Sequence, residues 1–196
     1  MGTASAFAVR LSNAMNEIEI TRAINKARRG IDQYLEIMRL FQKTDVSNSR
    51  YFQTAYNALY RVRQRPSEWY QEYYKYMEEM KGHSVTFSII LRHFDRKLGR
   101  YEPSFSSKLL HTLDTSFPVW DTHVLSNIGL RAPSYASRRK YEQAESTYKA
   151  IEDWYQIFLC TADGKSLISK FDELVAESPE IADIKKIDFV LWQTRT

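Results

Sequence analysis

The chain has a single cysteine, Cys160, among 196 residues. One thiol can form neither an intramolecular disulfide nor a thiolate-rich zinc site, so both are excluded. The four histidines, His83, His93, His111 and His123, lack ligand spacing and a His-Glu-x-x-His order, and no metal site is expected. No apolar run approaches the length of a membrane span. The stretch from Met1 to Leu11 carries one arginine, Arg10, and too weak an apolar block for a signal peptide. A cytoplasmic protein is expected, with residues 1–15 as an N-terminal tail and Met15 as an alternative start. No segment alternates as a strand would, and no internal repeat stands out.

Helical periodicity fills most of what is there. Thr21 to Lys43 places Ile24, Ala27, Ile31, Tyr34, Leu35, Met38 and Phe41 on one face, with Gly30 as a kink position. Ser47 or Ser49 caps a second helix reaching Arg63, with Phe52, Ala55, Tyr56, Leu59 and Tyr60 inward. Pro66 opens a third, Ser67 to Lys81, and a fourth runs from Ser84 to a C-cap at Gly99. Short helices follow from Ser104 to Leu113 and from Asp121. A long one from Ser137 to Thr161 buries Tyr141, Ala144, Tyr148, Ile151, Tyr155 and Phe158. Gly164 is expected to break it, Lys165 to Glu177 to form another, and Pro179 to start the last, with Ile184, Ile187, Val190 and Leu191 inward. The expected fold is all-α. Residues 16–196 are enough for one sizeable core, as a single domain or as two helical lobes flanking a cleft.

A net charge of +4 needs no partner to explain it, but its distribution is uneven. Arg61, Arg63 and Arg65 form one cluster, Arg92, Arg96, Lys97 and Arg100 a second, and Arg138, Arg139 and Lys140 a third. Such clusters neutralise phosphates, the main source of non-specific nucleic-acid affinity, although any one alone is an ordinary solvated face. Aromatics, 14% of the chain, concentrate between Trp69 and Tyr76. Trp69, Tyr73, Tyr76 and Met80 share a helical face and are expected in the core. Tyr70 and Tyr74 point elsewhere and are candidates to wall a base pocket.

The run Phe117-Pro118-Val119-Trp120-Asp121-Thr122-His123-Val124 delivers a carboxylate to the first turn of a helix. There Asp121 can accept hydrogen bonds from free backbone N–H groups, stay ionised and face a substrate. Asp is also a preferred N-cap, so a plain cap accounts for the same pattern. Upstream, Pro103-Ser104-Phe105-Ser106-Ser107-Lys108 leads into Leu109-Leu110.

From Glu102 to about Val124 the sequence resembles the helix-hairpin-helix DNA glycosylase superfamily, which includes endonuclease III and the 8-oxoguanine glycosylases. The resemblance implies a hairpin element at about 98–113 and a catalytic segment at 117–130. It aligns Asp121 with the family's catalytic aspartate and Lys108 with the nucleophile of the bifunctional members. By the same resemblance Ser104, Ser106, Ser107 and Arg100 would hold DNA phosphate, joined by Arg63, Arg96 and His123. Trp120, His111, Tyr70 and Tyr74 would border the base. The chain departs from the family where Ser104 and Ser106 replace both hairpin glycines, where Trp120 replaces a smaller residue, and where the Lys108 to Asp121 spacing is shorter. One cysteine excludes the iron–sulfur cluster that some members carry, so no cofactor is expected.

The implied reaction is hydrolysis of an N-glycosidic bond in DNA by a monomeric enzyme, and the shortened spacing favours a monofunctional one. Oxidised, alkylated, mismatched and hypermodified bases all remain open as substrates, which spans DNA repair and defence against modified phage DNA. The alternative is a catalytically silent helical module that binds DNA or a protein, with Asp121 as a cap.

Overall fold

A computed structural model describes residues 16–194, and all regular structure among them is helical. The expected tail at 1–15 and the alternative start at Met15 lie outside the described residues. Contacts gather the chain into two compact units. A central unit is Arg29–Asp114, and a terminal unit joins the described residues before it to those from Thr115 onward.

Helix α1, Glu17–Lys43, starts a turn earlier than its apolar pattern suggests. The side chain of Asn16 accepts from the Glu19 N–H while Glu19 accepts from the Asn16 N–H, both at 3.0 Å. This reciprocal capping box satisfies two otherwise unpaired donors. The helix runs unbroken through Gly30, and Ile37 takes the buried position expected of Met38, which is half-buried.

In the central unit, α2 (Arg50–Tyr60) is capped by the Ser49 hydroxyl, which accepts from the Phe52 N–H. It stops short of Arg63 because Arg61 turns left-handed, at φ 53°, and donates its N–H to Asn57. Helix α3 (Ser67–Glu79) follows Pro66. Helix α4 (Phe87–Leu98) is capped by Thr86 rather than Ser84 and closes on Gly99, whose φ of 61° suits glycine. Helix α5 (Pro103–Leu113) packs directly on α4. Between them Trp69, Tyr73 and Phe94 stack, with ring centroids 4.6 and 5.5 Å apart. The Tyr73 hydroxyl donates to the Phe105 carbonyl at 3.0 Å, so the Tyr56 hydroxyl, 2.9 Å away, donates to Tyr73.

The terminal unit contains α6 (Thr122–Asn127), α7 (Lys140–Cys160), α8 (Ala162–Leu174), a single 3-10 turn at Ser178–Glu180 and α9 (Asp183–Gln193). The break between α7 and α8 is at Thr161, not Gly164. Thr161 has an extended backbone, and its hydroxyl accepts from the Gly164 N–H at 3.0 Å while donating to the Phe158 carbonyl at 2.7 Å. Gly164 lies inside α8 and lets it approach α7: a Cβ there would sit 2.0 Å from the Phe158 carbonyl oxygen.

Helix α9 is buried from Ile184 to Leu191, charged residues included. Lys185 and Asp188, each 1% exposed, pair at 2.6 Å, and Lys186 reaches Asp172 and Asp183 at 2.8 Å each. Partial burial pushes the Asp172 carboxyl up, but hydrogen bonds from Lys186 and Ser178 outweigh it and hold the group below its ordinary value.

Gly164→Ala should destabilise the protein by about 1–3 kcal/mol or more, because the clash is with backbone, read as a lower denaturant midpoint. A carboxyl whose pKa is depressed on folding lends stability above its unfolded value that is lost as the pH falls through the folded one. Asp172→Asn should therefore flatten the loss of melting temperature below about pH 4 relative to the parent protein.

Candidate functional site

The segment around Asp121 is short of local stability and is held from outside. A six-residue helix such as α6 does not persist alone, since isolated helices below about 12 residues are marginal in water. Upstream, the buried Tyr148 hydroxyl donates to the Pro118 carbonyl at 2.8 Å. Downstream, the Asn127 amide donates to the carbonyls of Leu191, at 2.9 Å, and Thr194, at 3.2 Å, at the end of α9. Val124 and Leu125 are buried, fixing the rotation of the helix.

Asp121 is half-buried and extended, and its Oδ1 accepts from the His123 N–H at 2.8 Å. Its Oδ2 takes no hydrogen bond among the described residues. The negative field of the Asp121 carboxylate reaches the buried Tyr155 hydroxyl. That phenol is pushed well above its ordinary pKa first by burial, then by Asp188 and Asp121. Both chain neighbours of Asp121, Trp120 and Thr122, line an open groove of about 480 Å³, together with Leu125, Ser126, Leu130 and Arg131. Trp120 is 4% exposed, whereas Thr122, Ser126 and Arg131 are exposed. The groove thus offers apolar wall, hydroxyls and one cation, and Asp121 itself is not among the residues that line it. His123 is exposed.

The link between α4 and α5 spans Gly99 to Glu102. Arg100 faces solvent, Tyr101 and Glu102 are buried, and Pro103 fills the first turn of α5, where a missing N–H does no harm. The Glu102 carboxylate makes no cap bond to α5. It meets the Arg65 guanidinium through two contacts of 3.1 Å, a fork in which Nη2 donates to Oε2 and Nη1 lies opposite Oε1. Arg65 also lies over the rings of Phe105 and Trp69, at 4.9 and 5.5 Å. Burial raises the Glu102 pKa, opposed by the charges of Arg65 and Arg100.

Several expected site residues are placed otherwise. Ser106 and Ser107 are buried in α5, and their hydroxyls donate to the Glu102 and Ser104 carbonyls at 2.9 Å, so they do not face a phosphate. Short hydroxyls inside a helix commonly bond back to the preceding turn. Ser104 is half-buried and accepts at 3.0 Å from Lys108, which is only 6% exposed and lies over the rings of Phe105 and Tyr60. Lys108 is therefore engaged within its own helix and the aromatic cluster. His111 is fully buried, its Nε2 paired with the Tyr34 hydroxyl at 3.1 Å, and does not border a groove. Tyr74 is buried too. Its hydroxyl donates to Asn57 Oδ1 at 2.7 Å, because α3 buries a broader arc than the Trp69-Tyr73-Tyr76 stripe. Tyr70 is half-buried against the Trp69 ring, and Met80 yields the core to Met77. Arg63, Arg96 and Arg100 are exposed, as is Arg139, which pairs with Glu142.

Sequence reasoning missed Arg65–Glu102 and Lys185–Asp188. The second carries a local signal, opposite charges three residues apart on an apolar helix. The first is separated by 37 positions and has none.

No known protein family, curated protein or solved structure matches this chain. Among the described residues no cluster of candidate metal ligands occurs, and no helix is long and apolar enough to cross a membrane.

Asn serves as an N-cap about as well as Asp, while Ala forfeits the bond to the His123 N–H. Asp121→Asn should therefore leave stability within a few tenths of a kcal/mol, and Asp121→Ala should cost about 1 kcal/mol, by urea unfolding.

Proposed function

We propose that this protein is a DNA N-glycosylase in which Asp121 carries the chemistry. The observation behind the proposal is the state of that carboxylate. One oxygen anchors it to the start of α6, the other takes no hydrogen bond among the described residues, and its chain neighbours Trp120 and Thr122 line a groove.

In this reading a base is drawn out of the stack, and the bond from C1′ to the base nitrogen lengthens. Positive charge develops on the sugar, and the fixed Asp121 carboxylate stabilises it more strongly than water would, since its orientation is already set. Asp121 then orients the attacking water and accepts its proton, the C1′–O bond forms, and the base leaves with the bonding electron pair. Lys108, held by Ser104 and two ring faces, acts as a structural contact, which makes the enzyme monofunctional. Arg63, Arg96 and Arg100 of the central unit supply contacts to the phosphate backbone.

The competing reading, a silent DNA-binding module, draws on the cap bond from His123. Genomic DNAs from varied sources, modified phage DNA included, separate the two when incubated with the protein and assayed for abasic sites. The parent protein should generate such sites. Asp121→Asn should bind DNA with unchanged affinity and release no base, with a rate loss of about a hundredfold or more. Charge reversal at Arg63 or Arg96 should weaken binding. Failure to produce abasic sites in any DNA leaves the silent module, and full activity in Asp121→Asn removes Asp121 from the chemistry.

A further inference from the structure

The loop Arg61–Arg65 is backbone-strained and strongly basic at once. Arg61 and Gln64 both hold left-handed conformations, at φ 53° and 56°, and neither is glycine. Such conformations persist only where the surroundings over-determine them. Arg61 is held as the C-cap of α2, where its N–H and that of Val62 donate to the Asn57 carbonyl, and next to Gln64 the chain is anchored by the fork from Arg65 to Glu102 and the rings of Phe105 and Trp69 on which the guanidinium rests. Arg65 is the inward-facing member of its cluster, while Arg61 and Arg63 are exposed.

The other end of the fork sits in the link between α4 and α5. Glu102 is at the N-cap position of α5 yet makes no side-chain cap bond, and its carboxylate pairs instead with Arg65 of the neighbouring loop. Two residues earlier, exposed Arg100 lies close enough for its charge to act on Glu102. One partly buried ion pair thus ties together two segments of the central unit, one presenting Arg61 and Arg63 to solvent and the other Arg100.

We propose that the Arg65–Glu102 fork is a positioning device that joins the Arg61–Arg65 loop and the Gly99–Glu102 link into one phosphate-binding face for duplex DNA. Arg61, Arg63 and Arg100 make the contacts, and Arg65 and Glu102 hold them in register. The inference rests on the DNA-binding part of the function proposed above and is independent of Asp121. It assigns Glu102 an effect opposite in sign to its charge. A carboxylate near a phosphate-binding face should repel DNA, so simple electrostatics has its removal strengthen binding. If the carboxylate is there to hold the arginines, its removal weakens binding.

The test is fluorescence anisotropy with a labelled duplex oligonucleotide, titrated with the full chain across about 50 to 200 mM salt, a range over which phosphate contacts show clearly. The parent protein should bind with a negative salt slope, and Arg63→Ala should reduce that slope by about one. Glu102→Gln should weaken binding by about tenfold, with a reduced slope, although it makes the protein more positive. Arg65→Lys keeps the charge but not the fork, and should weaken binding similarly. Arg63→Ala should cost less in the Glu102→Gln background than alone, because the face is already loosened. Thermal melts of each variant confirm that folded protein is compared, and Arg65→Lys carries the test if Glu102→Gln does not fold. Equal or tighter binding by Glu102→Gln, or parental binding by Arg65→Lys, overturns the positioning role and leaves DNA binding standing. A parent protein without salt-dependent DNA affinity removes the DNA-binding reading itself.

Discussion

Helix α9 is buried along most of its length, and a helix so placed must neutralise its own charges before anything can pack on it. Lys185 and Asp188 do this for each other at 1% exposure, while Asp172 and Asp183 do it for Lys186. Removing one partner of such a pair strands a charge in a medium of low polarity, a penalty of about 3–5 kcal/mol, whereas the intact pair adds little net stability. Once neutralised, the helix offers apolar surface to α6, α7 and α8, and at its end the carbonyls that receive Asn127. The position of Asp121 follows from that chain of contacts rather than from anything within α6, which is too short to stand by itself.

The central unit solves a similar problem differently. Its interior is aromatic, and rings leave hydroxyls that must find acceptors when buried. Tyr56, Tyr73 and Tyr74 find them in one another, in the Phe105 carbonyl, and in Asn57. Burial raises the pKa of all three phenols, so they stay neutral donors over the physiological range. At the margin of this interior the aromatic rings continue outward to Arg65, whose guanidinium lies flat enough to use both a ring face and a carboxylate. An arginine cluster that looks uniformly solvated in one dimension is divided in space into one inward member and two outward ones.

Much of the helical framework is legible in the residues. The Ser49 cap, the Pro66 start, the Gly99 stop and the inward stripes of α1, α2 and α9 are local features, written within a turn of where they act. The misreadings share a cause. Gly164 reads as a breaker until α7 is seen to come within 2.0 Å of where its Cβ would be. Tyr74 and His111 read as candidate pocket residues, yet their polar atoms meet Asn57 and Tyr34, seventeen and seventy-seven positions away. Ser106 and Ser107 read as phosphate ligands because the sequence order does not reveal that their hydroxyls turn back on α5.

By itself the sequence determined an all-α chain, the approximate limits of most of its helices, and a carboxylate at Asp121 positioned to cap one of them. These depend on periodicity, capping and backbone preference, which act over four residues or fewer. Only the tertiary structure decided which polar side chains are consumed internally and which remain outward. It left the second oxygen of Asp121 uncommitted, engaged Lys108 with Ser104, and set Arg65 against Glu102. Burying a polar group is costly unless a partner is in reach, and for Arg65 that partner lies 37 positions along the chain, brought near only by packing.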